Sequence, residues 1–257
     1  MRILLMLFMG VMSLNVVAKI HTELIDYKDG NVTLQGYLAF DESIKEKRPG
    51  IIVVHEWYGL NDYAKRRTEQ LAELGYIAFA ADIYGKGILA KSPEEAGKLA
   101  SEFYKNRSKF RSRVNAALDV LRGNTHVDEQ NIAAIGYCFG GSGVLELARS
   151  GAEIKGVVSF HGNLSTENTE DAKNIKCKVL ILSGADDPNV PPEQIAGFEK
   201  EMNNAKVDWQ MNIYSYALHG FTNPANKQST SRSVGYNEKA DKRSWEAMKI
   251  FFDEIFK

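Results

Sequence analysis

The chain has 257 residues, 44% of them apolar and 25% charged, with a formal net charge of -1. That length can bury a sizeable core within a single domain. The near-neutral balance excludes the basic footprint that nucleic acid or an anionic membrane surface would require, and Lys65-Arg66-Arg67 reads as a solvated helix face.

The first segment differs from the rest. Met1-Arg2 is a short positive start, residues 3–14 are almost wholly apolar, and Val16-Val17-Ala18 puts small residues at a cleavage position. This pattern predicts a signal peptide over residues 1–18, a mature chain from Lys19 over 19–257, and a periplasmic or secreted protein. The apolar run is short for a bilayer span of about 20 residues, so no stable membrane anchor is expected. There are two cysteines, Cys138 and Cys177, and a core of this size needs no disulfide.

Two strand-like runs follow, residues 22–27 and 32–40, joined by Lys28-Asp29-Gly30, a hairpin signal. Ile51-Ile52-Val53-Val54 predicts a strand buried on both faces. Asn61 or Asp62 can cap a helix that runs to Leu74 and stops at Gly75. A strand is predicted over 76–81. Ser92-Pro93-Glu94-Glu95 then opens a helix with cap, proline and acidic first turn together. Phe110, Val114, Ala117, Leu118 and Leu121 recur at helical spacing. Strands are predicted at 132–136, 157–160, 179–183 and 207–216. Helices are predicted at 141–149, from Pro192, and along Trp245, Met248, Phe252 and Ile255. Alternating strands and helices imply an α/β fold: a mostly parallel twisted sheet flanked by helices, with the leading hairpin antiparallel at one edge. Sites in such sheets form at the C-terminal ends of the strands.

Gly136-Tyr137-Cys138-Phe139-Gly140 lies between a predicted strand and a predicted helix. It fits the nucleophile elbow, a tight turn that pushes its middle side chain out over the sheet edge. The positive end of the next helix favours a thiolate there. The other reading is a structural cysteine beside a glycine-rich turn. Asp187, in the loop after the 179–183 strand, can hold a histidine's Nδ1–H; Asp186 is its competitor. His219 follows the next strand. Nucleophile, acid, histidine is the chain order of α/β-hydrolases. Of the other four histidines, His21 and His126 read as exposed, and His161 is a candidate for lining the cleft. His55-Glu56 is not a zinc motif, because position 59 is Gly59, and no metal or cofactor is expected.

Taken together, His55-Glu56-Trp57-Tyr58-Gly59, Gly75-Tyr76, Ala81-Asp82-Ile83-Tyr84-Gly85, Gly136-Tyr137-Cys138-Phe139-Gly140-Gly141 and His219-Gly220-Phe221 resemble the dienelactone hydrolase family. The resemblance runs in order over nearly the whole mature chain. It implies an α/β-hydrolase fold and a Cys138–His219–Asp187 triad. It also implies that Glu56 hydrogen-bonds the resting cysteine and helps activate it. The backbone N–H groups of Trp57 and Phe139 would form the oxyanion hole; Trp57 and Tyr84 are candidate pocket walls, with a plain core aromatic the equal reading for Tyr84. The stretch after His219 reads Phe221-Thr222-Asn223-Pro224 and lacks the arginine with which dienelactone enzymes hold a substrate carboxylate. Arg107, Arg111 and Arg113 are the cations that upstream helices could supply instead. The expected substrate is a small ester or lactone in an open cleft. The alternatives are a thioesterase or carboxylesterase on other acyl groups, or a non-hydrolytic thiol or binding protein; a monomer is compatible with the sequence.

Overall fold

The computed structural model describes residues 18–257, so the predicted signal peptide lies, but for Ala18, outside the described residues. Strands β1 (Ile20–Asp29) and β2 (Val32–Asp41) form the expected hairpin, with Gly30 in the left-handed region at φ 58°. Then follow β3 (Arg48–Val54), α1 (Asp62–Glu73), β4 (Ile77–Ala81), α2 (Pro93–Tyr104), α3 (Arg107–Arg122), β5 (Val127–Tyr137) and α4 (Phe139–Arg149). The chain continues with β6 (Gly156–Phe160), β7 (Lys178–Gly184), α5 (Pro192–Ala205), β8 (Trp209–Tyr214) and α6 (Glu238–Ile255).

The eight strands make one sheet in the order β1-β2-β4-β3-β5-β6-β7-β8. The hairpin docks antiparallel on β4, and every pair from β4 to β8 is parallel. Alternation along β3 explains its apolar run. Ile52 and Val54 face one layer and Ile51 and Val53 the other, all without solvent exposure. The first layer is closed by α2 to α5 through Phe103, Phe110, Val144 and Phe198. The second is closed by α1 and α6 through Leu71, Met248 and Phe252.

Local signals set most boundaries. Asn61 Oδ1 accepts from Ala64 N and caps α1, Ser92 Oγ accepts from Glu95 N and caps α2, and Gly75 ends the first of these at φ 94°. Several boundaries differ from expectation: β1 is longer and β8 shorter, and both elements of the elbow start early. Helix α4 starts at Phe139 rather than Gly141, because the Cys138 carbonyl already accepts from Gly141 N at 3.0 Å. The glycines there have poor intrinsic helix propensity and hide the first turn. Strand β5 starts at Val127, since Arg48 and Pro49 pair with Val127 and Asp128 before a register shift brings Gly50 opposite Ile132.

Because β3 to β8 are parallel, all their C-terminal ends lie on one edge. His55-Glu56-Trp57 leaves β3 there, Asp82 to Tyr84 leaves β4, Cys138 leaves β5, His161 leaves β6, Asp187 follows β7 and His219 follows β8.

Candidate active site

Cys138 sits between the last residue of β5 and the first of α4 at φ 54°, ψ -113°. A non-glycine residue in such a conformation costs about 1–3 kcal/mol and persists only when its surroundings hold it. Two acceptors do so: Cys138 N donates to Phe160 O at 2.9 Å and to His161 Nδ1 at 3.1 Å. The flanking glycines are required by close approach. A Cβ at Gly136 would run into the Gly140 carbonyl, and one at Gly140 into the Val54 carbonyl. The elbow is thus wedged between β3, β5 and β6, and its side chain stands half-buried at the positive end of α4.

His219 brings the ends of β7 and β8 to this sulfur. Its Nε2 lies 2.9 Å from Cys138 Sγ and its Nδ1 2.8 Å from Asp187 Oδ2. Asp187 is buried and its other oxygen accepts from Asn189 N at 2.8 Å, whereas Asp186 is exposed. The His219 backbone is pinned on both sides, its N donating to Ser233 O and its O accepting from Gly235 N. Burial works against a charge on this imidazole. Cys138 and Asp187 together outweigh that penalty and hold its pKa well above the usual histidine range. The imidazole thus lies between a sulfur and a carboxylate that both favour its proton.

Glu56 is buried at the end of β3, but its partner is not the one the resemblance implies. Sγ is engaged by His219, and Glu56 Oε2 accepts from Asn223 Nδ2 at 2.7 Å. Burial raises the Glu56 carboxyl above its ordinary range, while Asn223, His219 and Arg67 pull it back. His55 fixes the same loop from below. Its Nδ1–H donates to Glu56 O at 2.6 Å while its Nε2 accepts from Ile83 N at 3.3 Å, a neutral tautomer that ties β3 to the end of β4. Burial holds its pKa below the ordinary value.

The Phe139 N–H is the first of α4 and has no intrahelical acceptor. The Phe139 ring is fully buried and stacks on Phe110 with centroids 4.5 Å apart, which anchors the peptide. Trp57 is half-buried on the β3 loop. Its carbonyl accepts from Tyr84 Oη at 2.8 Å, so Tyr84 fixes the Trp57 peptide from beneath. The Tyr84 ring is buried against His55 and Phe139 and does not form an open wall.

His161 also departs from its expected place. It is 1% exposed and lies beneath the elbow, not along the open cleft. Both its ring nitrogens are occupied, Nδ1 by Cys138 N and Nε2 by Thr222 Oγ1 at 2.8 Å. Arg67 departs from expectation too, since it is buried and not part of a solvated face. Its Nη2 donates to Thr222 O at 2.7 Å and to Asp241, and its Nε donates to Tyr63 Oη at 3.2 Å. Thr222, Asn223, Tyr63 and Arg67 carry no local signal for these roles.

Of the upstream cations, Arg111 pairs with Glu146 and Asp171, and Arg113 with Asp29. Arg107 stacks over Tyr104 at 5.0 Å. Cys177 precedes β7, at the opposite end of the sheet from Cys138, and burial pushes its thiol up to about 12. It is neither a disulfide partner nor a resolving thiol for the elbow.

Among the described residues, no helix is long and apolar enough to cross a membrane. Comparison with known proteins places this geometry. The sequence model of the dienelactone hydrolase family matches residues 34–256. Protein usf of Aquifex pyrophilus is 28% identical over 237 residues, covering 90% of this chain and 98% of that protein. The solved structure of m3DLH superposes with a TM-score of 0.89 at 41% identity, covering 92% of this chain and 98% of the other. A dienelactone hydrolase-like promiscuous phosphotriesterase from metagenomic libraries gives 0.88 at 39% identity, with the same coverage. With the family's sequence pattern extending from β2 into α6 and its fold reproduced at this similarity, the chain belongs to the dienelactone hydrolase family, enzymes that hydrolyse ester and lactone bonds of small molecules.

Proposed function

We propose that the protein hydrolyses small carboxylic esters or lactones through Cys138, His219 and Asp187, by way of an acyl-enzyme. The observation that carries this reading is a single imidazole bridging the other two groups, 2.9 Å from Sγ on one side and 2.8 Å from the carboxylate on the other. Cys138 Sγ adds as the thiolate to the carbonyl carbon, and the carbonyl electron pair moves to oxygen. The Trp57 and Phe139 N–H groups donate to that oxyanion; loss of one such donor typically costs about 3 kcal/mol. When the intermediate collapses, the alkoxide leaves with the proton from His219 Nε2. A water then attacks the thioester, His219 Nε2 takes its proton, and Sγ departs as the thiolate. Asp187 keeps the Nδ1–H in place throughout. Glu56, its carboxyl raised by burial above the ordinary range, stands beside the site and accepts from Asn223. Tyr84 acts on substrate through the Trp57 peptide that it holds.

The amino-terminal pattern supports export, with the enzyme working in the periplasm or outside the cell. The functional test is steady-state hydrolysis of a short-chain p-nitrophenyl ester and a simple enol lactone by the mature protein and by Cys138→Ala. Turnover that disappears in the variant is expected. Turnover that persists in it would remove the nucleophile from Cys138.

A further inference from the structure

The sulfur and the imidazole of the site come from chain segments 81 residues apart, and something must hold them at 2.9 Å. His161 is the residue that touches both segments. On one side its Nδ1 accepts the Cys138 N–H at 3.1 Å. On the other its Nε2 reaches Thr222 Oγ1 at 2.8 Å, three residues beyond His219. Its ring meets the His219 ring edge-on at 5.3 Å and the Phe221 ring at 5.1 Å. Thr222 is itself clamped, its O by Arg67 Nη2 and its Oγ1 against Tyr63 Oη at 2.6 Å. We propose that His161 is a positioning residue that sets the register between the nucleophile elbow and the histidine loop, acting as a neutral imidazole that accepts at Nδ1 and donates at Nε2. This inference rests on the ester-hydrolase reading only for its kinetic readout.

Three features support it. A backbone N–H can only donate, so Nδ1 must carry a lone pair and the ring's one proton sits on Nε2. Burial, with His219 and Arg67 nearby, holds the His161 pKa well below the ordinary value and keeps the ring in that form. The backbone at His161 is in the left-handed region at φ 41°, a second strained residue directly opposite the strained Cys138. Strain of this kind persists where the surroundings over-determine it, and it clusters at functional sites.

The left-handed backbone also supplies the test. Glycine and asparagine both tolerate that conformation, so His161→Gly and His161→Asn keep the turn. Glycine removes both ring contacts. Asparagine restores an acceptor where Nδ1 was but is too short to reach Thr222. Three proteins are compared, wild type, His161→Gly and His161→Asn, each checked for folding by thermal melting. The readouts are kcat and KM on a p-nitrophenyl ester and the second-order rate of Cys138 alkylation by iodoacetamide. In His161→Gly kcat should fall on the order of 100-fold with KM little changed, the usual penalty for misplacing reacting groups by about 1 Å. Alkylation should slow in parallel, and His161→Asn, which restores only the Cys138 side of the bridge, should recover at most part of both. Equal values in all three proteins, or full recovery in His161→Asn without the Thr222 contact, would overturn the proposal. Alkylation needs no substrate, so it tests the positioning role even if no ester is turned over, which separates failure here from failure of the hydrolase reading.

Discussion

Asn223 donates its Nδ2–H to Glu56 Oε2 at 2.7 Å across 167 residues of sequence, joining the loop after β3 to the loop that carries His219. The carboxyl it meets is buried, and burial raises the Glu56 pKa above the unfolded value of 4.5. A raised native pKa means the folded state binds the proton more tightly. The contribution to stability is then full below the unfolded value and is lost as pH rises through the folded value. Glu56→Gln keeps an acceptor for Asn223 and removes the charge. It should raise the melting temperature at pH 8 and have little effect at pH 4. Equal shifts at both pH values would show that Glu56 is ionised without cost in the fold.

Asp187 and Cys138 hold the His219 imidazole above its usual range against the penalty of burial. Asp187→Asn removes one of the two raising influences. The pH at which His219 loses its proton should therefore move down, so the alkaline limb of the kcat/KM profile, where the imidazolium is the acid for the leaving alkoxide, shifts to lower pH. A drop in kcat on the order of 10⁴-fold should accompany it, as expected when the acid that orients a catalytic histidine is lost. A profile unchanged from wild type would leave Asp187 without an electrostatic role.

Gly140→Ala tests the wedge at the elbow. Its Cβ would meet the Val54 carbonyl, a backbone atom that cannot swing aside. Overpacking of this kind costs about 1–3 kcal/mol and displaces backbone, so both the urea midpoint and kcat should fall. An alanine variant of wild-type stability would mean that β3 and α4 are further apart than described.

Behind the elbow, Arg149 of α4 is 1% exposed and pairs with Glu201 through Nε at 2.8 Å and with Glu146 through Nη1 at 3.1 Å. Its Nη2 also donates to Leu164 O at 3.0 Å. Arg149→Met would leave the buried Glu201 carboxylate without its cation and Glu146 with Arg111 alone. A loss of about 3–5 kcal/mol in unfolding free energy is expected. A neutral result would indicate that Glu201 takes up a proton when the cation is gone.

For the amino terminus, intact mass of protein recovered from an exporting host should correspond to a chain beginning near Lys19. A mass that retains Met1 would end the export proposal.

Much of the fold was legible because its signals are local. The apolar run of β3, the caps at Asn61 and Ser92, and the hairpin at Gly30 depend on a few neighbouring residues each. Parallel strands then force their C-terminal ends onto one edge, so Cys138, Asp187 and His219 could be expected together from strand order alone. Tertiary structure alone decided the partners of the polar groups. Arg67 read as solvated because burying a charge is unfavourable unless it is paired, and its partners, Thr222 and Asp241, lie more than 150 residues away. His161 read as a cleft residue for a similar reason: periodicity puts it at the right sheet edge but cannot say which groups meet its two nitrogens. Glu56 took Asn223 in place of Cys138 because the sulfur had a nearer claim from His219. The sequence determined which residues reach the edge, since strand direction is a local property. Which of them touch depends on how distant loops pack, and only the folded chain brings those loops together.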